Sequence, residues 1–175
     1  MSSFNATRSR FGHQRERGLS VRDVSGVYRT VRPAEILQAA QQVLEARLTH
    51  TPVLDGPSTV KEYLRVKLGT LEHEVFGVVF LNCQHAVIAV EELFRGSVSQ
   101  AVVYPREVVK HAMLHNSSAC ILFHNHPSGT AEPSKADEHL TSQLQAALKL
   151  VDCRVLDHLI VISTTVRSMA EMGLI

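Results

Sequence analysis

The stretch Ala119-Cys120-Ile121-Leu122-Phe123-His124-Asn125-His126-Pro127-Ser128-Gly129-Thr130-Ala131-Glu132-Pro133-Ser134-Lys135-Ala136-Asp137 decides how this chain is read. Five residues, Ala119 to Phe123, run directly into His124 and read as a buried strand. Side chains alternate along an extended strand, so His124 and His126 point to one face while Asn125 points away. Pro127 stops the ladder, and Gly129 lets the loop bend sharply. The helix expected to begin at Ser134 then carries Asp137 in its first turn, where the positive helix end keeps the carboxylate ionised. Two imidazole nitrogens and one carboxylate oxygen make three ligands for one zinc ion. The fourth tetrahedral position is left to water, which is the arrangement of a catalytic rather than a structural site. Ser134 and Asp137 also have the spacing of a capping box, which requires no metal. Both readings stand at this point.

Working outward, Val75 to Leu81 is a nearly all-apolar strand, Asn82 to His85 a turn, and Ala86 to Glu91 the hairpin partner. Gly96 punctuates, Gln100 to Val103 is expected as another short strand, and Pro105 opens a helix carrying Val108, Val109, Ala112 and Met113. On the other side, Leu140, Leu144, Ala147, Leu148 and Val151 form one stripe of the helix after Ser134. Val155 to Ser163 is a strong strand, and Thr165 to Met169 a further one. Towards the N-terminus, Pro33 opens a helix with Ile36, Leu37, Ala40, Val43, Leu44 and Leu48 at helical spacing. His50 to Pro57 reads as a linker, and Ser58 as the cap of a helix running to about Gly69. Hairpins interleaved with helices imply an α/β (α+β) fold: a mixed, mostly antiparallel β-sheet flanked by helices. The expected organisation is a basic, disordered arm over 1–32, a helix and linker over 33–57, and a metal-binding domain over 58–175.

The formal net charge of +1 names no partner, but its distribution does. Residues 1–32 carry seven arginines against Glu16 and Asp23, a local charge of +5 that leaves −4 for the rest. Arg8, Arg10, Arg15, Arg17 and Arg22 are therefore candidates for attraction to nucleic acid, against the plainer reading of a solvated arm. Cys83, Cys120 and Cys153 are odd in number, widely spaced and free of C-x-x-C pairing, as expected of buried thiols in a reducing compartment. No run approaches the ~20 apolar residues of a membrane span, and the N-terminus has no apolar h-region. A cytoplasmic protein without membrane contact is expected.

Other enzymes built on H-x-H are excluded by the residues present. An H-x-H-x-D-H pattern needs Asp and His where Ser128 and Gly129 stand, and a histidine triad needs a third histidine at position 128. The P-C-x-x-C of zinc deaminases and the H-E-x-x-H of helical zinc proteases are absent. H-x-H followed by seven residues and S-x-x-D resembles the JAMM signature of MPN-domain metalloproteases. The wider text resembles RadC proteins in particular, through His124-Asn125-His126-Pro127-Ser128-Gly129, Pro133-Ser134 and Asp137, Glu91-Glu92-Leu93-Phe94-Arg95-Gly96-Ser97, Pro105-Arg106-Glu107, and Leu156-Asp157-His158-Leu159-Ile160-Val161.

The resemblance covers about residues 58–175 and implies an MPN (JAMM) fold of cytidine-deaminase-like architecture. It implies one zinc ion held by His124, His126 and Asp137, and a general acid/base just before the first core strand. Glu74 matches that place, with Glu72 a nearby rival and Glu91 and Glu92 weaker ones. Ser134 matches the serine that bonds a developing oxyanion or orients the water. Asp157 and His158 are candidates to orient a ligand from behind. The implied activity is that of a zinc-dependent peptidase or isopeptidase acting on a peptide or protein substrate. The alternative is a DNA-associated accessory protein that uses the arginine arm. RadC proteins of full length often carry an N-terminal helix-hairpin-helix module, and no glycine-flanked hairpin motif precedes residue 58, so a short form is expected.

Overall fold

A computed structural model describes residues 19–22, 24–50, 57–96 and 102–175, and the chain divides into two compact units between Ile36 and Leu37. In the first unit Ser20–Arg22 (β1) pairs antiparallel with Tyr28–Thr30 (β2). Gly26 takes φ 86° in the connection, and Arg22 folds back so that its Nε donates to the Gly26 carbonyl at 3.1 Å. Arg29 and Arg32 approach Glu35 at 3.0 and 3.5 Å. This hairpin lies within residues 1–32, the stretch expected to be a basic, disordered arm. Strands of three residues are too short to display a period of two. Arg8, Arg10, Arg15 and Arg17 lie outside the described residues.

The helix expected at Pro33 is Pro33–His50 (α1). Its anticipated apolar stripe packs only at the far end: Leu48 is buried and Leu44 partly so, whereas Ile36, Leu37 and Val43 are exposed. Pro57–Leu68 (α2) follows, then Val75–Leu81 (β3), Val87–Arg95 (β4), Pro105–Leu114 (α3), Ala119–Asn125 (β5), Lys135–Lys149 (α4), Arg154–Val161 (β6) and Val166–Ser168 (β7). The short strand expected at Gln100 to Val103 is not found at Val102 and Val103, which are irregular, and residues 100–101 lie outside the described residues. Two β-branched residues satisfy a strand pattern, yet they only lead into the proline that opens α3.

The sheet order is β4-β3-β5-β6-β7, antiparallel except for the parallel pair β5 and β6, which α4 connects. The sheet is thus mixed and mostly antiparallel, as the sequence implied. All seven residues of β3 and all seven of β5 are buried, so both faces must be covered. Val75, Val79 and Leu81 with Ala119, Ile121 and Phe123 meet Val60, Tyr63, Leu64 and Leu68 of α2 on one face. Phe76, Val78 and Phe80 with Cys120 and Leu122 meet Val108 and Ala112 of α3 and Leu144 and Leu148 of α4 on the other. The strict alternation assigns each residue of β5 to a layer. Among the described residues no helix is long and apolar enough to cross a membrane.

Gly77 of β3 has no room for a side chain. A Cβ there would lie 2.2 Å from Phe123 Cζ and 2.4 Å from the Glu91 carbonyl oxygen. Neither a buried ring at the β3–β5 pairing nor ladder backbone can yield cheaply. Gly77→Ala is therefore expected to destabilise the fold by roughly 1–3 kcal/mol. A urea denaturation midpoint equal to that of the parent would contradict this packing.

Candidate metal centre

Alternation along β5 places His124 on the face covered by α3 and α4, and His126, one residue past the strand end, on the same side. The Gly129 turn, at φ 81°, helps return the chain to α4, which carries Asp137. One ligand atom from each of His124, His126 and Asp137 lies within 4.8 Å of the others. His124 Nε2 is 2.8 Å from His126 Nε2 and 3.3 Å from Asp137 Oδ1, and His126 Nε2 is 3.7 Å from Asp137 Oδ2. His124 is buried, while His126 and Asp137 are half-buried and line an open cleft of about 620 Å³. Glu74 lines the same cleft, with Phe76, Val102, Val103 and Leu140 as apolar wall.

Hydrogen bonds behind the rings settle which nitrogen of each neutral histidine bears the proton. A carbonyl only accepts, so His126 Nδ1 must donate to the Thr130 carbonyl at 2.6 Å, leaving the lone pair on Nε2. Thr141 Oγ1 spends its proton on the Asp137 carbonyl at 2.6 Å and therefore accepts from His158 Nδ1, also at 2.6 Å. His158 Nε2 is then an acceptor and takes the proton of His124 Nδ1 at 2.8 Å. The His124 lone pair is thereby left on Nε2. Two lone pairs and a carboxylate oxygen thus face one another with no proton between them. That arrangement is repulsive on its own and suits a cation held by two imidazoles and a carboxylate, the donor set of zinc.

Asp137 divides its two oxygens. Oδ2 accepts from Ser134 N at 2.7 Å and Ser134 Oγ at 2.6 Å, while Ser134 Oγ accepts from Asp137 N at 3.2 Å, completing a capping box. Oδ1 is the oxygen nearer His124. The capping and ligand readings therefore coexist.

Residues 54–174 match the family described as the RadC-like JAB domain. The chain belongs to the RadC family. It is 57% identical to a UPF0758 protein of Methylibium petroleiphilum over 142 residues, which is 81% of this chain and 64% of that protein. It is 54% identical to a UPF0758 protein of Leptothrix cholodnii and 52% identical to one of Variovorax paradoxus, covering 80% of this chain in both cases and 63% and 62% of those proteins. The chain thus spans somewhat less than two thirds of the length of these curated relatives.

Of the other residues singled out from the sequence of this RadC-family chain, some stand elsewhere. Glu72 is exposed and lines a separate hollow with Leu68 and Gly129. Glu91 binds His111 and His115, and Glu92 pairs with Lys67 at 3.1 Å. Asp157 pairs in register with Ile121, on the sheet face away from His124. There it accepts from Ser168 Oγ at 2.6 Å and Ala170 N at 3.0 Å, tying down the C-terminal turn. It is turned away from His124, whereas His158 Nε2 lies 2.8 Å from His124 Nδ1. The expectation of three buried thiols holds for Cys120 and Cys153 but not for Cys83, which is exposed. Asn125 has a part that sequence reasoning left out. Pointing to the α2 face, its Oδ1 accepts from Val75 N at 2.8 Å and its Nδ2 donates to the His73 carbonyl at 3.0 Å. It therefore clamps both neighbours of Glu74 to the strand that bears the histidines. Thr141 was also left out, although its place four residues after Asp137 on a helix was a usable signal.

Burial holds the His124 ring down to about 4, the Asp137 charge opposing the drop and His126 adding to it. Burial likewise pushes His158 well below its ordinary value, with His124 and His126 adding to the effect. Folded-state values below the unfolded value of 6.5 mean that the unfolded chain binds protons the fold excludes. Stability of the metal-free protein is thus full above that value and falls as pH drops from there towards 4. Urea midpoints measured between pH 7 and 4.5 should show the fall, and His158→Gln should reduce it. A flat profile would contradict neutral buried rings.

Proposed function

We propose that this domain is a zinc-dependent hydrolase that cleaves a peptide or isopeptide bond in a peptide or protein substrate. The observation that carries the reading is the pair of inward lone pairs on His124 and His126, set against Asp137 Oδ1 in a cleft that Glu74 also lines. Zinc with three protein ligands would keep one position open, lower the pKa of a water there to about 7 and polarise a scissile carbonyl. His124, His126 and Asp137 would hold it. Glu74 would accept the proton of the attacking water at a carboxylate oxygen and return it to the leaving amine. The Asn125 clamp, with the Gly96 N–H donating to the Glu74 carbonyl at 2.8 Å, fixes the backbone on which Glu74 stands. Ser134 acts here mainly through Asp137, because its hydroxyl proton already lies on Oδ2. The apolar wall of Phe76, Val102, Val103 and Leu140 would receive an extended, uncharged stretch of substrate. Three free cysteines accord with a reducing, cytoplasmic setting.

The DNA-associated alternative would rest on the arginines of residues 1–32. Of those described, Arg22, Arg29 and Arg32 have intramolecular partners, so the hydrolase is the reading the geometry favours.

Two measurements test it. Protein purified from zinc-replete cells should carry a zinc ion at this centre that His126→Ala loses and Glu74→Gln retains. Glu74→Gln should in turn abolish cleavage of whichever member of a peptide and isopeptide panel the parent cleaves. Parent protein without zinc, or cleavage undiminished in Glu74→Gln, would sink the proposal. Thr141→Val removes the acceptor that sets the His158 tautomer, so zinc affinity should fall about 10–100-fold with the fold intact. An unchanged affinity would mean that the hydrogen-bonded chain does not set the direction of the His124 lone pair.

A further inference from the structure

A second convergence of imidazoles and carboxylate lies outside the cleft. Glu91 of β4 faces His111 and His115 of α3, and one ligand atom from each residue falls within 4.8 Å of the others. His111 Nδ1 meets Glu91 Oε2 at 2.5 Å and His115 Nε2 meets Glu91 Oε1 at 2.8 Å. The two histidines are four residues apart on one helical face, and the bond from His115 N to the His111 carbonyl, 3.1 Å, keeps that turn intact. The His115 ring packs on Phe80 with centroids 4.9 Å apart, which fixes its plane. Glu91 is held in register opposite Val78. All three side chains are between 19% and 30% exposed, so solvent could supply a fourth ligand. The group also sits at the C-terminal end of α3, where the helix dipole favours a cation. Lys110, the adjacent cation of α3, is occupied with Glu107 at 3.3 Å. Glu91 stands two residues along β3 from the position of Phe76, the partner of His124, and on the opposite edge of that strand, so the two clusters flank β3 from its β4 and β5 sides.

We propose that Glu91, His111 and His115 form a second site for a divalent cation of the zinc class, separate from the His124 centre and joining the edge strand β4 to α3. Two imidazole nitrogens and a carboxylate oxygen are the ligand types that zinc, cobalt and nickel accept. Without metal, both rings donate to the carboxylate, which can only accept. Binding moves the proton of each neutral ring from its inward to its outward nitrogen, so the inward lone pair reaches the ion and no net proton is released. The cation replaces two hydrogen bonds by three coordinate bonds.

Zinc stoichiometry on the full chain, by equilibrium dialysis of stripped protein against zinc chloride, tests this directly. The parent should bind two ions and the double variant His126→Ala/Asp137→Ala one. Adding His111→Ala to that double variant should remove the remaining ion or weaken it at least about tenfold. Zinc lost by His111→Ala but untouched by His126→Ala/Asp137→Ala would support this site while sinking the first. Stoichiometry and affinity unaffected by His111→Ala in both backgrounds would overturn the proposal and leave the first site standing. A readout on the parent needs no substitution. Zinc should suppress diethyl pyrocarbonate labelling of His111 and His115, located by peptide mass, and equal labelling with and without zinc would overturn it.

Discussion

The antiparallel pairing of β3 with β5 is the constraint on which the site depends. Its register sets Phe76 against His124 and buries both strands on both faces. Two covered faces leave an imidazole no water, so each polar atom at the end of β5 must find a protein partner or a ligand. Alternation then sends consecutive residues to opposite layers. His124 and His126 meet α4, where Asp137 stands, and Asn125 meets the backbone that flanks Glu74. One period of a strand thus assembles the candidate ligands on one side and a clamp for the segment bearing Glu74 on the other. A slip of one residue would exchange the two.

Burying three polar side chains in a row, His124, His158 and Thr141, would be costly if any hydrogen bond ran the wrong way. The direction is not arbitrary, because one end of the chain is fixed by an obligate acceptor, the Asp137 carbonyl. The Asp137 carbonyl orders Thr141, which orders His158, which orders His124. The residue that supplies a candidate ligand oxygen therefore also sets, through its own backbone, the lone pair of the ligand facing it. Capping adds to this economy. The helix start that could have explained Asp137 without a metal uses Oδ2, and by anchoring that oxygen it aims Oδ1 at His124. The cap is how the Asp137 carboxylate is positioned.

Much of this was legible in the chain because it is local. The strand at Val75 to Leu81, the cap at Ser134 and the face shared by His124 and His126 depend on residues within a few positions of one another. What escaped depends on register or on short elements. That His158 and not Asp157 reaches the site follows from a bulge between Cys120 and Ile121 in the parallel pairing, invisible to any local pattern. The ends of α3 and α4 lack glycine signals because Asn116 and Asp152 take the left-handed conformation there, at φ 48° and 56°. The apolar residues of the first half of α1 suggested a buried stripe, yet periodicity reports which residues share a face and not whether anything covers it. The RadC motifs single out the candidate ligands, while Thr141 and Asn125, which bond to His158 and to the backbone flanking Glu74, make no pattern.

The two histidine–carboxylate groups differ in a way that their compositions conceal. At the His124 centre, hydrogen bonds made behind the rings draw the protons outward, so the inward nitrogens are bare before any ion arrives. At Glu91 the protons point inward and satisfy the carboxylate, so that cluster is closed in the absence of metal. The hydrogen bonds to Glu91 outweigh the effect of burial and hold its carboxyl below the ordinary value, which keeps it charged and ready to accept. A bare site gains on binding by relieving repulsion, whereas a closed one must first give up bonds it already has. Affinity should therefore be lower at Glu91 for equal ligand number. Glu74, a potential proton acceptor, lines the cleft of the first group, so a metal there would be placed for chemistry, whereas a role in joining β4 to α3 suits the second.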